Sequence, residues 1–114
     1  MKSIVGIFSI LFFAIPSLAE VTCEGYRQFP DLTSKSVTLE VVFETAMQIK
    51  LVADIGDIHY LVNGDKTTGD YYTIISKGPE YIEGSIASGT FNSHGQLKGS
   101  WVIGSEIFKI VCKK

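Results

Sequence analysis

The feature that most constrains the fold is a pair of apolar segments, Leu97 to Ile103 and Glu106 to Cys112, separated by the dipeptide Gly104-Ser105. Both segments are rich in β-branched and aromatic residues, and glycine at the first position of a two-residue turn matches the twist of antiparallel strands. The sequence therefore predicts a β-hairpin. Its predicted pairs are Ile103 with Glu106, Trp101 with Phe108, Gly99 with Ile110 and Leu97 with Cys112.

Two other dipeptides that begin with glycine, Gly56-Asp57 and Gly78-Pro79, also lie between apolar segments. Each predicts a further hairpin with a two-residue turn. For the first, the predicted pairs are Ile55 with Ile58, Ala53 with Tyr60 and Leu51 with Val62. For the second, they are Ile75 with Ile82 and Thr73 with Gly84.

Between Val37 and Ala53, apolar residues occupy most odd positions and polar residues most even positions. This alternation is typical of strands. A helix over Glu40 to Asp54 would also gather some apolar residues on one stripe, but the alternation and the β-branched residues favour strands. Seventeen residues exceed the usual strand length, so we expect a turn near Glu44-Thr45-Ala46 to divide the segment.

The remaining apolar segments bring the total to eight predicted strands, joined mostly by short connections. The first is Thr22 to Phe29, and Tyr71 to Ser76 and Tyr81 to Phe91 are two of the others. Eight sequential antiparallel strands predict an all-β, up-and-down barrel in which the last strand lies beside the first. A two-sheet β-sandwich that also brings these strands together is the alternative. The predicted interior consists of Leu39, Val41, Phe43, Met47, Ile49, Leu51, Tyr60, Val62, Trp101, Phe108 and Ile110.

The first nineteen residues have the composition of a signal peptide. Lys2 is followed by an apolar run, Ile4 to Ile15, and by the small-residue cleavage site Ser17-Leu18-Ala19. The apolar run is shorter than the ~20 residues that span a bilayer. We therefore expect a leader over residues 1–19 and a single exported domain over residues 20–114, located in a periplasm or outside the cell.

The chain has two cysteines, Cys23 and Cys112, near the two ends of the predicted domain. Disulfides persist in exported proteins, and two cysteines allow one bridge. In an up-and-down barrel with an even number of strands, the start of the first strand and the end of the last lie at the same end. The sequence therefore predicts a Cys23–Cys112 disulfide.

The charge disfavours nucleic acid as a partner. Without Lys2, which lies in the predicted leader, the chain has nine Lys and Arg residues and twelve Asp and Glu residues, and the basic residues do not cluster. Proteins that bind nucleic acid need clustered cations to neutralise phosphates. We also expect no membrane span after leader cleavage, and a monomer or weak dimer.

The sequence contains no pattern that predicts catalysis. Its two histidines, His59 and His94, have no partner at metal-ligand spacing, and no nucleophile motif or phosphate-binding loop occurs. The acidic segment from Asn63 to Asp70 lacks EF-hand spacing, so we interpret it as a solvated turn. We expect a protein that is not an enzyme and needs no metal or cofactor.

Two kinds of function remain. A protein-binding module would use the polar residues of the longer loops, or apolar residues on the outer face of the strands. A lipocalin-like carrier would instead hold a small apolar ligand in a cavity beside Ala53, Gly84 and Gly99. The candidate binding residues are Asn63, Asp65, Lys66, Asp70 and His94 in the loops, and Tyr72 and Tyr81 on the outer face.

A signal peptide followed by a small barrel with a cysteine near each end resembles the layout of exported bacterial lysozyme inhibitors. The Ser-Gly-x-x-Tyr and Phe-Trp-x-Lys-Gly motifs of one such family are missing, since Ser88-Gly89 matches only the first two positions. The resemblance implies an inhibitor-like module and assigns a role to no residue of this chain.

Overall fold

A computed structural model describes residues 21–114, so the predicted leader lies outside the described residues. The described part consists of β-strands and connecting turns and contains no helix, and therefore no helix able to cross a membrane. The nine strands are β1 (Thr22–Gln28), β2 (Ser34–Thr38), β3 (Glu40–Glu44), β4 (Gln48–Ile55), β5 (Ile58–Asp65), β6 (Tyr71–Lys77), β7 (Glu83–Gly89), β8 (Gln96–Ile103) and β9 (Glu106–Lys113).

The strands form two antiparallel sheets, ordered β2-β1-β9-β8 and β3-β4-β5-β6-β7. The chain passes from the first sheet to the second at Leu39, which is buried and whose amide donates a hydrogen bond to the carbonyl of Cys23. The all-β prediction and the pairing of the first strand with the last are confirmed.

The predicted closed barrel is wrong, and the two-sheet alternative fits. A barrel requires a ladder between every pair of neighbouring strands. Here β7 and β8 form no ladder, and the Ser85 hydroxyl donates to the Ser100 carbonyl between them over 3.3 Å. The bend at Leu39 folds the sheets over each other on the opposite side, so the molecule is an open sandwich.

Both hairpins with two-residue turns have the predicted register. All four predicted pairs of β8 with β9, and all three of β4 with β5, are present. Gly104 and Gly56 adopt φ angles of 58° and 64°, which residues with a side chain rarely adopt. Glycine at these positions therefore defines each turn and, through it, which side chains face the core.

The predicted register of the Gly78-Pro79 hairpin is wrong. Lys77 pairs with Glu83, so five residues form the connection instead of two, and Ile75 pairs with Ser85 instead of Ile82. The odd shift of three residues turns the opposite side of β7 outward. Ile86 consequently projects from the outer face with 73% of its surface exposed.

The segment before β4 also departs from prediction, because it forms two strands, β2 and β3, instead of one. Val41, Phe43 and Met47, which the alternation predicts in the interior, are exposed. β3 is an edge strand with a bulge between Val41 and Phe43, after which Phe43 pairs with Lys50 on the outer face. Alternation cannot show such a change of phase.

The Cys23–Cys112 disulfide is confirmed, and it links directly opposite residues of β1 and β9. It is consistent with an oxidising, exported compartment. Because the two cysteines are 89 residues apart in sequence, the bridge closes most of the described chain into one loop.

The core lies between the inner faces of the sheets. Its largest fully buried side chains include Tyr60, Tyr71 and Phe108. The Tyr60 ring lies over Gly25 of the other sheet, and its hydroxyl donates to the Tyr26 carbonyl over 2.8 Å. The other buried apolar residues are Val21, Cys23, Leu39, Ile49, Leu51, Ile55, Ile58, Val62, Ile75, Leu97, Ile110 and Cys112.

Arg27 connects the sheets at the end opposite the disulfide. Its guanidinium donates to the Asp57 and Glu106 carboxylates over 3.0 Å and to the Ile55 carbonyl over 3.1 Å. It also lies near the Phe108 ring. Asp57 belongs to the turn of one sheet and Glu106 to a strand of the other, so Arg27 fixes their relative position.

Candidate functional site

Four of the predicted binding residues line one open pocket of about 280 Å³, namely Asn63, Asp65, Asp70 and Tyr72. Asn63 and Tyr72 are cross-strand partners on β5 and β6, and Asp65 and Asp70 flank the connection between these strands. The structure therefore joins part of the loop group to one residue of the outer-face group.

Asp65 shapes the connection as well as lining the pocket. Its carboxylate accepts hydrogen bonds from the Thr67 hydroxyl, the Thr67 amide and the Thr68 amide. These bonds, led by the one from the Thr67 hydroxyl, lower the pKa of Asp65 below its usual value. Asp65 is therefore ionised at neutral pH and contributes negative charge to the pocket.

Lys66 and His94 lie elsewhere. Lys66 turns away from the pocket and donates to the Glu44 carboxylate over 2.8 Å. His94 lies in the β7–β8 connection, where the Asn92 carboxamide accepts a hydrogen bond from its backbone amide. The β7–β8 connection lies at the same end of the sandwich as the β5–β6 connection. The Lys114 amide donates to the Gly95 carbonyl of the first, and Lys114 lines a second pocket together with Lys66 of the other.

Tyr81 lies at the other end of the second sheet, in the five-residue connection between β6 and β7. Its ring centroid is 6.0 Å from that of His59. Ile82 beside it is 82% exposed, and Tyr81, Ile82 and Ile86 line a shallow apolar groove. Tyr81 and the Tyr72 pocket are thus two parts of one outer face.

An apolar row connects these two parts. Val52 pairs with Leu61, Leu61 with Ile74, and Ile74 with Ile86, all on the outer face of four neighbouring strands. Tyr72, 51% exposed, lies two residues from Ile74 on the same face. The outer face of the second sheet therefore carries a continuous band of apolar side chains.

The same face also carries an aspartate, a histidine and a serine in a row. Asp54 pairs with His59, whose Nδ1 lies 2.8 Å from the Asp54 carboxylate, and His59 pairs with Ser76. A triad also requires a hydrogen bond from the nucleophile to the histidine. The hydrogen bonds among residues 21–114 do not include one from Ser76 to His59. The row therefore has the orienting pair but not the activated nucleophile.

Residues 21–114 contain no group of three or more His, Cys, Asp or Glu residues placed to hold a metal ion. One of the small residues that a carrier cavity would require is covered, because a side chain at Gly99 would overlap Thr73 of the other sheet. Gly84 is exposed and lies in the outward phase of β7 with Ile86, so it does not face the interior.

The sequence did not predict three contributors to this face. Gln48 and Thr68 line the 280 Å³ pocket, and Ile86 ends the apolar row. Gln48 and Thr68 are polar residues in an ordinary strand and turn, so no local pattern distinguishes them. The outward orientation of Ile86 depends on the register of β7, because the predicted two-residue turn would have placed Ile86 on the inner face.

Neither the protein-family models, nor the curated proteins, nor the solved structures compared with this chain match it.

Proposed function

We propose that this protein is an exported protein-binding module without catalysis, with an inhibitor-like mode of action in which a stable scaffold presents a contact surface. The observation that carries the proposal is the apolar band on the outer face of the second sheet, from Val52 to Ile86. Ile86 is exposed and Val52, Leu61 and Ile74 are partly exposed, and contiguous apolar surface of this kind marks interaction sites.

The pocket beside Tyr72 supports the same proposal. Interfaces combine aromatic anchors with polar groups at the rim, and here Tyr72 adjoins Asn63 and Asp70. The alternative of a lipocalin-like carrier has less support, because Thr73 fills the space beside Gly99.

Affinity capture tests the proposal. The mature, disulfide-bonded protein is immobilised and exposed to an envelope extract of the producing cells, with reduced and unfolded protein as the control. We expect a defined partner retained by the folded bait alone. Native mass spectrometry of the purified protein distinguishes the carrier, since a bound apolar molecule with no retained protein would overturn the proposal.

Two double variants locate the contact on the captured partner. Asn63→Ala with Asp70→Ala alters the pocket rim, and Tyr72→Ala with Ile86→Ala alters the apolar band. We expect both to weaken binding, with the larger loss for the second pair. Wild-type binding by both variants would place the contact on another surface.

Export is tested separately by sequencing the amino terminus of protein purified from the producing cells. We expect the mature chain to begin at Glu20, directly after the small-residue site. An intact Met1 would contradict the leader.

A further inference from the structure

The outer faces of the two sheets carry opposite charge. On the second sheet, Glu40, Asp54 and Asp65 project outward against Lys50, and Asp70 lines the same face. On the first sheet, the outward charged residues are Lys98, Lys109 and Lys113 against Glu24. The net charge of the whole chain is only −2, although each outer face carries an excess of one sign. Acidic and basic residues are therefore segregated between the two faces.

The acidic residues lie at two places along the apolar band. Asp54 and Glu40 lie beside Val52 at one side of the sheet. Asp70 and Asp65 lie at the end near Tyr72. We call the band together with these four carboxylates the acidic outer face.

We infer that the acidic outer face binds a protein other than a second copy of this chain, whose contact surface is an apolar patch bordered by lysine and arginine side chains; this inference rests on the proposed function. Complementary charges at the rim steer the partner and set its orientation, while apolar side chains and Tyr72 are buried at the centre. Anionic lipid surfaces and acidic proteins are repelled by the same four carboxylates.

Photocrosslinking in the producing cells tests the inference. Ile86 on the acidic outer face and Val102 on the basic face of β8 are exposed, and each is replaced in turn by p-benzoylphenylalanine. Crosslinked peptides are identified by mass spectrometry. We expect Ile86 to crosslink to a segment of another protein rich in Lys and Arg, and Val102 to give no such product.

Several results would overturn the inference. Crosslinks from Val102 alone would be compatible with the proposed function but would place the contact on the basic outer face of the first sheet. Crosslinks from Ile86 to an acidic segment, to a lipid, or to the Lys98 and Lys109 face of a second copy would reject the stated partner. Absence of crosslinks from Ile86 when the folded bait captures a partner would reject the inference alone. Absence of crosslinks from both positions, with no partner captured by the folded bait, would overturn the proposed function itself.

Affinity for the identified partner gives the second measurement. Glu40→Gln with Asp70→Asn removes two charges that form no ion pair among residues 21–114. We expect about tenfold weaker binding and a smaller dependence on salt. Lys98→Gln with Lys109→Gln is the matched control and should change affinity by less than about twofold. Equal losses in the two variants would contradict the role of charge.

Discussion

In the hairpins that end the two sheets, the second strands differ, because β9 buries its large apolar residues while β7 and the connection before it expose theirs. In the β8–β9 hairpin, Phe108 and Ile110 are buried against the second sheet and Cys112 is bridged to β1. In the β6–β7 hairpin, Ile86 and Ile82 are mostly exposed and β7 has no ladder on its free edge. We call the first the stapled side and the second the open side. The contrast lies between the second strands of the two hairpins, since Tyr71 and Ile75 of β6 belong to the core. Large apolar residues of β9 stabilise the fold, whereas those of β7 and of the connection before it remain available for contact.

The difference follows from the connections. Gly104-Ser105 closes β8–β9 in two residues, so side chains alternate in the phase that the core requires. The five-residue connection of β6–β7 reverses the phase of β7, which places Ser85 and Ala87 inward and Ile86 outward. Small residues face inward where β8 lies close, and the larger isoleucine faces solvent.

Removing the disulfide should have the largest effect on stability. Replacing Cys23 and Cys112 by serine releases a closed loop of 89 residues, and the loop-entropy relation gives a loss of about 4.6 kcal/mol in the free energy of unfolding. Urea denaturation followed by the fluorescence of Trp101, the single tryptophan, measures it. The same loss is expected on reducing the wild-type protein. A loss below about 1 kcal/mol would show that the bridge contributes little to the stapled side.

Truncation of one large apolar residue on each side tests the contrast between the two sides directly. Phe108→Ala should cost about 3 to 5 kcal/mol, because the ring is 2% exposed and its removal leaves a cavity. Ile86→Ala should cost less than about 0.5 kcal/mol, since most of that side chain already contacts water. Denaturant midpoints of the two variants give both values. Similar losses would mean that the two hairpins do not differ in burial.

Much of the fold could be predicted from the sequence where the chain makes tight turns. Gly56 and Gly104 defined two registers, and the two cysteines indicated that the first and last strands are neighbours. The exposure of Phe43 could not be predicted, because a bulge in β3 changes the phase of alternation. The open seam between β7 and β8 is likewise set by packing of the sheets.

The candidate site was predictable only in part. Clustered polar turn residues identified Asn63, Asp65 and Asp70, and the outward phase of β6 identified Tyr72. Lys66 belongs to the same turn but pairs with Glu44, a contact between connections distant in sequence. The segregation of charge between faces depends on knowing which sheet each strand joins, so it required the structure.

Arg27 tests how the end opposite the disulfide is held. Arg27→Met keeps the apolar stem but removes the hydrogen bonds to Asp57 and Glu106, so we expect a loss of about 2 kcal/mol. Lys35→Met is the matched control, because Lys35 lies on β2 directly opposite Arg27 and is exposed. We expect this variant to change stability by less than about 0.5 kcal/mol. Equal effects in urea denaturation would contradict a specific role of the guanidinium.

Alkaline pH should produce the smallest of these effects. Burial raises the pKa of Tyr60 above its usual value of 10.0, so the folded protein retains the phenol proton at a pH where the unfolded chain loses it. Stability from this group is complete below pH 10.0 and declines as pH rises further. Tyr60→Phe should lose about 1 kcal/mol at pH 8, through the bond to the Tyr26 carbonyl, and show a shallower decline above pH 10. Parallel declines in variant and wild type would exclude Tyr60 as the cause.

The most direct test of the division between the two sides is a paired measurement on Tyr72→Ala with Ile86→Ala. The variant's free energy of unfolding and its affinity for the partner identified by crosslinking are determined under one set of conditions. We expect a free energy of unfolding within about 1 kcal/mol of wild type and binding weakened by at least about tenfold. Unchanged binding, or a loss of stability as large as that of Phe108→Ala, would contradict the division between the two sides.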